Sequence, residues 1–275
     1  MIQVIKHRHS VRTFEKQEIS VEDQKTIRKL IGEIEKEPGP FGHSIKLYFL
    51  LNKDAHSPEA KKVGMYGYVK HVPGFVTGST KKSFEGLVDF GYVFEKLILE
   101  LSKRGFGTVW LSGDFENEDL ENFARKGDVV PVMAPVGYPA YKRSLRERFL
   151  RMKQEASDRK SFDELFFDQS FDTPLAKENR SHRFYNILEL VQLAPSALNK
   201  QPWRVLVKED ALHLYLERTE NFPEQPNDVE VVNMGIALRH MAIGLEAESY
   251  TYDIKRLDDA PRHESYEYIA TVNIG

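Results

Sequence analysis

The chain has 275 residues, 41% hydrophobic and 29% charged, the balance of a globular protein with a real core and room for one large domain or two ordinary ones. Its 39 basic and 42 acidic residues leave a formal charge of −3, which gives no general reason to expect nucleic acid or an anionic membrane as partner. There is no cysteine, so disulfides, thiolate metal sites and cysteine nucleophiles are excluded. The N-terminus lacks the apolar core of a signal peptide, and no apolar stretch nears the roughly 20 residues that span a bilayer, so a cytoplasmic protein is expected.

After Met1, a short apolar segment leads into His7-Arg8-His9-Ser10-Val11-Arg12-Thr13-Phe14. Ser20-Val21-Glu22-Asp23 reads as a helix start, with a serine cap and an acidic first turn. Ile27, Leu30, Ile31 and Ile34 line one face of that helix, and Pro38-Gly39-Pro40 stops it. Ile45–Leu51 is predicted as a strand. Residues 55–82 are rich in Gly and Lys and give no clear pattern beyond a short strand at Gly74–Gly78. The strongest helix signal runs from Ser83 to Arg104, where Phe84, Leu87, Val88, Phe94, Leu97, Ile98 and Leu101 make a wide apolar stripe and Gly105 supplies the stop.

Phe106–Leu111 is predicted as a strand, Glu116–Lys126 as a charged helix and Val129–Val136 as a strand ending in Gly137-Tyr138-Pro139. Residues 141–160, dense in Lys, Arg and Glu, read as a solvated helix or linker. Phe162–Phe171 is expected to be an extended crossing segment, followed by a helix over Arg183–Leu193. A polar loop from Ala194 to Arg204 then opens a hairpin turned at Lys208-Glu209-Asp210. A long helix over Asp228–Glu248 and strands at Thr251–Ile254 and Tyr266–Ile274 close the chain. Interspersed helices and strands predict an α+β fold, an antiparallel or mixed sheet covered by helices.

The chain also reads as two related halves, 1–150 and 160–275. Gly39–Ser44 lies opposite Pro195–Lys200, Asp89-Phe90-Gly91 opposite Asn233-Met234-Gly235, and Met133–Gly137 opposite Thr271–Gly275, in the same order with similar gaps. The halves differ chemically. The first carries the basic N-terminal run but has Gly-Pro-Phe-Gly in place of the polar loop. The second has the loop but ends at Gly275, opposite Gly137, with nothing to match Tyr138–Arg143.

Arg8-x-Ser10-x-Arg12 puts two guanidiniums and a hydroxyl on one side of an extended segment, a set suited to phosphate. A basic N-terminus in solvent would read the same way. Lys142 and Arg143, after Gly137-Tyr138-Pro139, add a second cationic cluster in the same half. In the loop, Pro195 and Pro202 restrict the backbone while Asn199 and Gln201 offer donors and acceptors to something flat and polar. No G-x-G-x-x-G follows a strand, and neither a P-loop nor a G-x-S-x-G elbow occurs. His7 and His9 lack a third ligand, so no metal is expected. For His240 and Trp110 the core reading is preferred.

These segments resemble the FMN-dependent nitroreductase family, in its branch with two fused repeats. The likeness rests on Arg8-x-Ser10-x-Arg12-x-Phe14, on Gly105-Phe106-Gly107-Thr108-Val109-Trp110, on Gly137-Tyr138-Pro139 and on Ala194-Pro195-Ser196-Ala197-Leu198-Asn199-Lys200-Gln201-Pro202-Trp203. It departs mildly at His9, where many members have arginine. The resemblance implies one FMN per chain. Arg8, Ser10, Arg12, Lys142 and Arg143 would hold its phosphate and ribityl oxygens, with Arg12 at the N1–O2 edge of the ring. Leu111, Ser112 and Gly113 would run along the ring, and Pro195, Ser196 and Asn199 would reach it from the second half.

It further implies NAD(P)H as electron donor, ping-pong hydride transfer to a small organic acceptor, and no catalytic side chain beyond the flavin. Specificity would reside in residues 60–80 and 220–230. No nucleic acid or membrane partner is implied, and the chain would be a monomer or weak homodimer. A flavin-binding sensor or storage protein, a degenerate member without turnover and a flavin-free binding protein remain as alternatives.

Overall fold

The computed structural model describes residues 1–52, 69–112, 127–140 and 159–275. Helix α1 (Ile2–His7) replaces the featureless apolar start, burying Ile5 against Leu99, Leu190 and Ile243. Helix α2 (Val21–Ile34) begins where expected, its Ser20 Oγ accepting the Asp23 N–H at 3.1 Å, and buries Ile27, Leu30, Ile31 and Ile34. Strand β1 (Lys46–Leu51) pairs with β2 (Gly74–Lys81), which runs three residues past the predicted short strand.

Helix α3 (Phe84–Lys103) is capped by Ser83, whose Oγ accepts the Gly86 N–H. It ends in a Schellman closure: Gly105 takes φ +85°, its N–H donates to Ser102 O, and the Phe106 N–H reaches back to Leu101 O. The strand expected over Phe106–Leu111 is shorter than its apolar pattern suggests. Only β3 (Gly107–Thr108) ladders, with a single bridge from Leu111 to Met133 beyond it. The strand expected over Val129–Val136 is split into β4 (Asp128–Val129) and β5 (Met133–Gly137), because Pro131 has no N–H to offer a ladder. The helix predicted at 116–126 and most of the basic stretch at 141–160 lie outside the described residues.

Phe162–Phe171 is not simply extended. A capping box between Ser161 and Glu164 starts helix α4 (Phe162–Leu165), and strand β6 (Phe166–Asp168) follows. Helix α5 (Tyr185–Gln192), strands β7 (Trp203–Lys208) and β8 (Ala211–Leu216), helix α6 (Val229–Ala247) and strands β9 (Tyr252–Lys255) and β10 (Glu267–Ile274) fall within a few residues of expectation.

The strands form two separate five-stranded sheets. One runs β1-β2-β5-β3 with β4 on β2; the other runs β6-β7-β8-β10-β9. Within them the orders β1-β2-β5-β3 and β7-β8-β10-β9 match, hairpin for hairpin, and each second hairpin strand leads into a long helix. All pairings are antiparallel except β6 with β7.

The helices α3 and α6 cross at the centre and belong to one core cluster with residues of both sheets. Helix α6 is buried from Val229 to Leu245, mostly by apolar residues, with Glu230, Asn233, Arg239 and His240 buried among them. The crossing is reciprocal. A Cβ on Gly91 would strike Val232 O, and one on Gly235 would strike Val88 O, so both positions need glycine for the backbones to touch.

Candidate flavin site between the two halves

The N-terminal segment is threaded into the first half by its own backbone. The Val11 N–H donates to Thr108 O at 2.9 Å, the Lys70 N–H to Arg12 O at 3.0 Å, the Phe14 N–H to Lys70 O and the Glu15 N–H to Tyr138 O. Val11 packs on Gly107, where a side chain would collide with it, and Phe14 bridges to Pro139. The segments 8–14, 107–112 and 137–140 are thereby brought together. Ser10, Arg12, Leu111 and Ser112 are half-buried there. Gly113, Lys142 and Arg143 lie outside the described residues.

Arg8 stands at the end of α1, which the Lys6–Glu189 ion pair (2.9 Å) and the Ile5 cluster hold against α5. Its Nη1 is buried with no hydrogen-bond partner, and burial pushes its guanidinium below the usual arginine range, with Glu95 acting the other way. Leaving a guanidinium N–H buried and unpaired is costly, so this is a group built to meet something else.

Just ahead of the helix start at Ser161 comes Arg159, in the stretch expected to be a solvated helix or linker. Its Nη1 donates to Ala194 O at 2.6 Å and its Nη2 to Leu193 O at 3.1 Å. Burial, and then the charge of Arg8, bring it down to about 10, so it remains cationic at neutral pH. Two half-buried guanidiniums within electrostatic reach of each other are a residue pair the sequence reading missed. The available signal was the Ser161-x-x-Glu164 capping box, which marks a helix start directly after Arg159-Lys160.

Arg159 is seated on the carbonyls that open the polar loop, so the loop lies beside the basic pair. Pro195, Ser196 and Asn199 are half-buried and Leu198 is exposed. Leu198, Asn199 and Gln201 all take positive φ (51°, 56° and 48°), a strained run for side chains with a Cβ. The loop is tied to α6 by the Ala197 N–H donating to Asn233 Oδ1 at 3.2 Å, and to itself by the Gln201 N–H donating to Ser196 Oγ at 2.9 Å. The Asn233 Nδ2 is buried without a partner.

Glu95, on α3, is fully buried. It accepts the Trp110 indole N–H at 3.1 Å and faces His240 Nε2 at 3.0 Å, while His240 Nδ1 meets Leu190 O at 2.8 Å. Trp110, edge-on to Phe94, and His240 thus belong to the core. Arg183 pairs with Asp210 at 2.6 Å, away from the loop. Among the described residues, no group of three or more His, Cys, Asp or Glu could hold a metal, and no helix is long and apolar enough to cross a membrane.

Two sheets packed on a crossed helix pair, with an N-terminal basic segment and a polar loop meeting beside it, define a nitroreductase-like α+β fold. The model of the family described as "Putative TM nitroreductase" matches residues 1–245, and the chain belongs to that family. The crystal structure of a putative nitroreductase from Thermotoga maritima is similar at 21% identity and a TM-score of 0.60, covering 99% of this chain and 92% of that one. An FMN-dependent nitroreductase from Clostridium difficile (17% identity, TM-score 0.41) and a nitroreductase with bound FMN from Bacteroides fragilis (16%, 0.41) each cover 52% of this chain and 90% of their own. No curated protein matches it.

Proposed function

We propose that the chain is an FMN-dependent NAD(P)H oxidoreductase that holds one flavin between its two halves. The observation that carries this reading is the buried, unpartnered Nη1 of Arg8 beside Arg159. Two desolvated cations repel each other, and a phosphate dianion joining them would supply the missing acceptor to Arg8 and a counter-charge to both. The residues present therefore fit the group. Arg8, Arg159 and Ser10 would bind the phosphate, and Lys142 and Arg143, outside the described residues, are carried over from the family resemblance alone as ligands of the phosphate and ribityl oxygens. Arg12 would face the N1–O2 edge, backbone amides of Leu111, Ser112 and Gly113 would line the ring, and Pro195, Ser196 and Asn199 would close over it from the second half. FMN, when bound, would supply the redox chemistry, taking electrons from NAD(P)H and passing them in a ping-pong cycle to a small organic acceptor.

The two halves, 1–150 and 160–275, read as related units fused in one chain. Their matching strand orders and the reciprocal Gly91–Gly235 crossing support this. One flavin per chain follows from how the two equivalent loops are tied. Asp89 accepts the Phe41 N–H at 2.8 Å, the His43 N–H at 2.9 Å and His43 Nδ1 at 2.9 Å, so the loop of the first half is satisfied by its own helix. Asn233, the counterpart of Asp89, accepts only Ala197 and keeps an unpartnered Nδ2. The second loop alone has polar capacity to spare for a ligand.

The test is an anaerobic absorption spectrum of purified protein before and after NADH or NADPH. A flavin spectrum that bleaches, with one FMN released per chain on heating, supports the reading. A yellow protein that does not bleach is a flavin carrier rather than an oxidoreductase, and a protein that stays colourless after incubation with FMN refutes the proposal. Light scattering at micromolar concentration is expected to give a monomer, because the fused halves already bury the surface that separate subunits would share.

A further inference from the structure

Gln201 has no task in the flavin reading, yet it is the most heavily engaged residue of the loop. It is 1% exposed and takes φ +48°, a left-handed conformation made harder by the proline that follows it. Four hydrogen bonds hold it, one of them from Arg204 Nη1 to its carbonyl oxygen at 3.3 Å. Its N–H donates to Ser196 Oγ at 2.9 Å, its Oε1 accepts the Lys160 N–H at 3.0 Å, and its Nε2 donates to Asn199 O at 3.0 Å. A single buried amide therefore touches both the Arg159-Lys160 segment and the Ser196–Asn199 loop.

The other ties of these two pieces are unequal. The loop retains Ala197 N–H to Asn233, Asn199 N–H to Ser196 O and Lys200 N–H to Ala197 O without Gln201. The backbone of Lys160 is held from one side by Gln201 and from the other by Gln192, whose Nε2 donates to Lys160 O at 2.9 Å. The Arg159 guanidinium has its own bonds to Ala194 O and Leu193 O, and these two glutamines fix the backbone that follows it.

We propose that Gln201 is a positioning residue that couples phosphate recognition to ring recognition, by fixing the Arg159-Lys160 segment against the loop that carries Asn199. This rests on the flavin reading given above. A flavin without a phosphate gains little from the coupling, so the signature is a change in discrimination rather than a general loss of binding. A residue that merely supports the fold would weaken both ligands alike.

The experiment titrates FMN and riboflavin into flavin-free protein, following flavin fluorescence, for the unmodified chain, Gln201→Ala and Gln192→Ala. The ratio of FMN to riboflavin affinity is expected to fall about tenfold or more in Gln201→Ala and about threefold in Gln192→Ala, which frees the Lys160 carbonyl without touching the loop. An unchanged ratio in both variants, or equal losses for both ligands, overturns the proposal. Should Gln201→Ala not fold, the half-buried Gln192→Ala decides alone: a fall in its ratio supports the coupling and a constant ratio removes it. If the unmodified protein itself binds FMN no tighter than riboflavin, the phosphate assignment of Arg8 and Arg159 fails first, and the role of Gln201 falls with it.

Discussion

Replacing Glu95 by glutamine and by alanine gives opposite outcomes that follow from counting protons. His240 Nδ1 lies 2.8 Å from a backbone carbonyl, which can only accept, so that nitrogen carries hydrogen. The contact between His240 Nε2 and Glu95 Oε1, at 3.0 Å, then needs a second proton, on either the ring or the carboxyl group. The other carboxyl oxygen already accepts the Trp110 indole N–H. In Glu95→Gln the amide NH2 donates to a neutral Nε2 and the amide oxygen accepts from Trp110, so every hydrogen bond survives and the extra proton is no longer required.

In Glu95→Ala the indole N–H and the imidazole Nε2 are both left buried and unpaired. At about 1–3 kcal/mol for each such group the loss is about 2–6 kcal/mol, before any cavity is counted. That is a large share of the roughly 5–15 kcal/mol by which domains are stable, and it would lower the Tm on the order of 10 °C. Glutamine is expected to change the Tm by no more than a few degrees. Denaturant unfolding gives the two energies, and nitrogen chemical shifts of the His240 ring in Glu95→Gln should show a neutral ring protonated at Nδ1. A glutamine variant as unstable as the alanine variant would refute the hydrogen-bond assignment at this crossing.

Arg8→Ala and Arg159→Ala should each weaken FMN binding about 10- to 100-fold, the worth of one charge-assisted hydrogen bond, as read by fluorescence titration. With Arg159 brought down to about 10, FMN affinity in the unmodified protein should also decline as the pH rises through that value, and Arg159→Ala should lose this dependence. Gly91→Ala and Gly235→Ala each push a methyl group into the opposite helix backbone and are expected to cost at least about 1–3 kcal/mol in urea unfolding. Burial lowers the titration of His213, whose Nδ1 meets Thr271 Oγ1 at 2.8 Å, so the folded chain resists a proton that the unfolded chain accepts below about 6.5. Stability should therefore fall as pH drops from about 6.5 toward the lower folded value, and His213→Gln should flatten that slope in unfolding curves at stepped pH.

The elements legible in the sequence were those whose signals are local. Ser20, Ser83 and Asp228 each cap the helix they precede, and Gly105 stops α3 because only a residue free at φ +85° closes its last turn. The strand over Phe106–Leu111 was overread because apolar residues there face the core without laddering, and Pro131 broke a run whose side chains still looked continuous. The two sheets and the crossing of α3 with α6 are long-range facts. Only the order of similar segments in the two halves hinted at them. Of the site, Arg8, Ser10 and Arg12 were visible as an alternating pattern. Arg159 was hidden by composition, since a lysine- and arginine-rich stretch looks solvated until its guanidinium is found on the carbonyls of Leu193 and Ala194.

In the proposed pairing of halves, Asp89 stands opposite Asn233, and the two differ by one functional group. Asp89 and Asn233 occupy matching turns of α3 and α6, each two residues before the glycine that lets the helices touch, Gly91 and Gly235. A carboxylate has only acceptors, and Asp89 uses them on two backbone N–H groups and a histidine ring, winding its loop shut. Burial raises Asp89 above the ordinary carboxylate range, and those three donors offset part of that cost. An amide at the same place turns one acceptor into a donor, so Asn233 holds Ala197 through Oδ1 while its Nδ2 cannot accept the second backbone N–H that Asp89 takes on Oδ2. The Asn199 N–H goes instead to Ser196 O, within the loop. Changing Asn233 to Asp would convert the open loop toward the closed kind and place a charge near the ring-facing residues. FMN affinity should fall while the fold is kept, and an Asn233→Asp variant that binds FMN as tightly as the unmodified chain would show that the loop's openness does not depend on this residue.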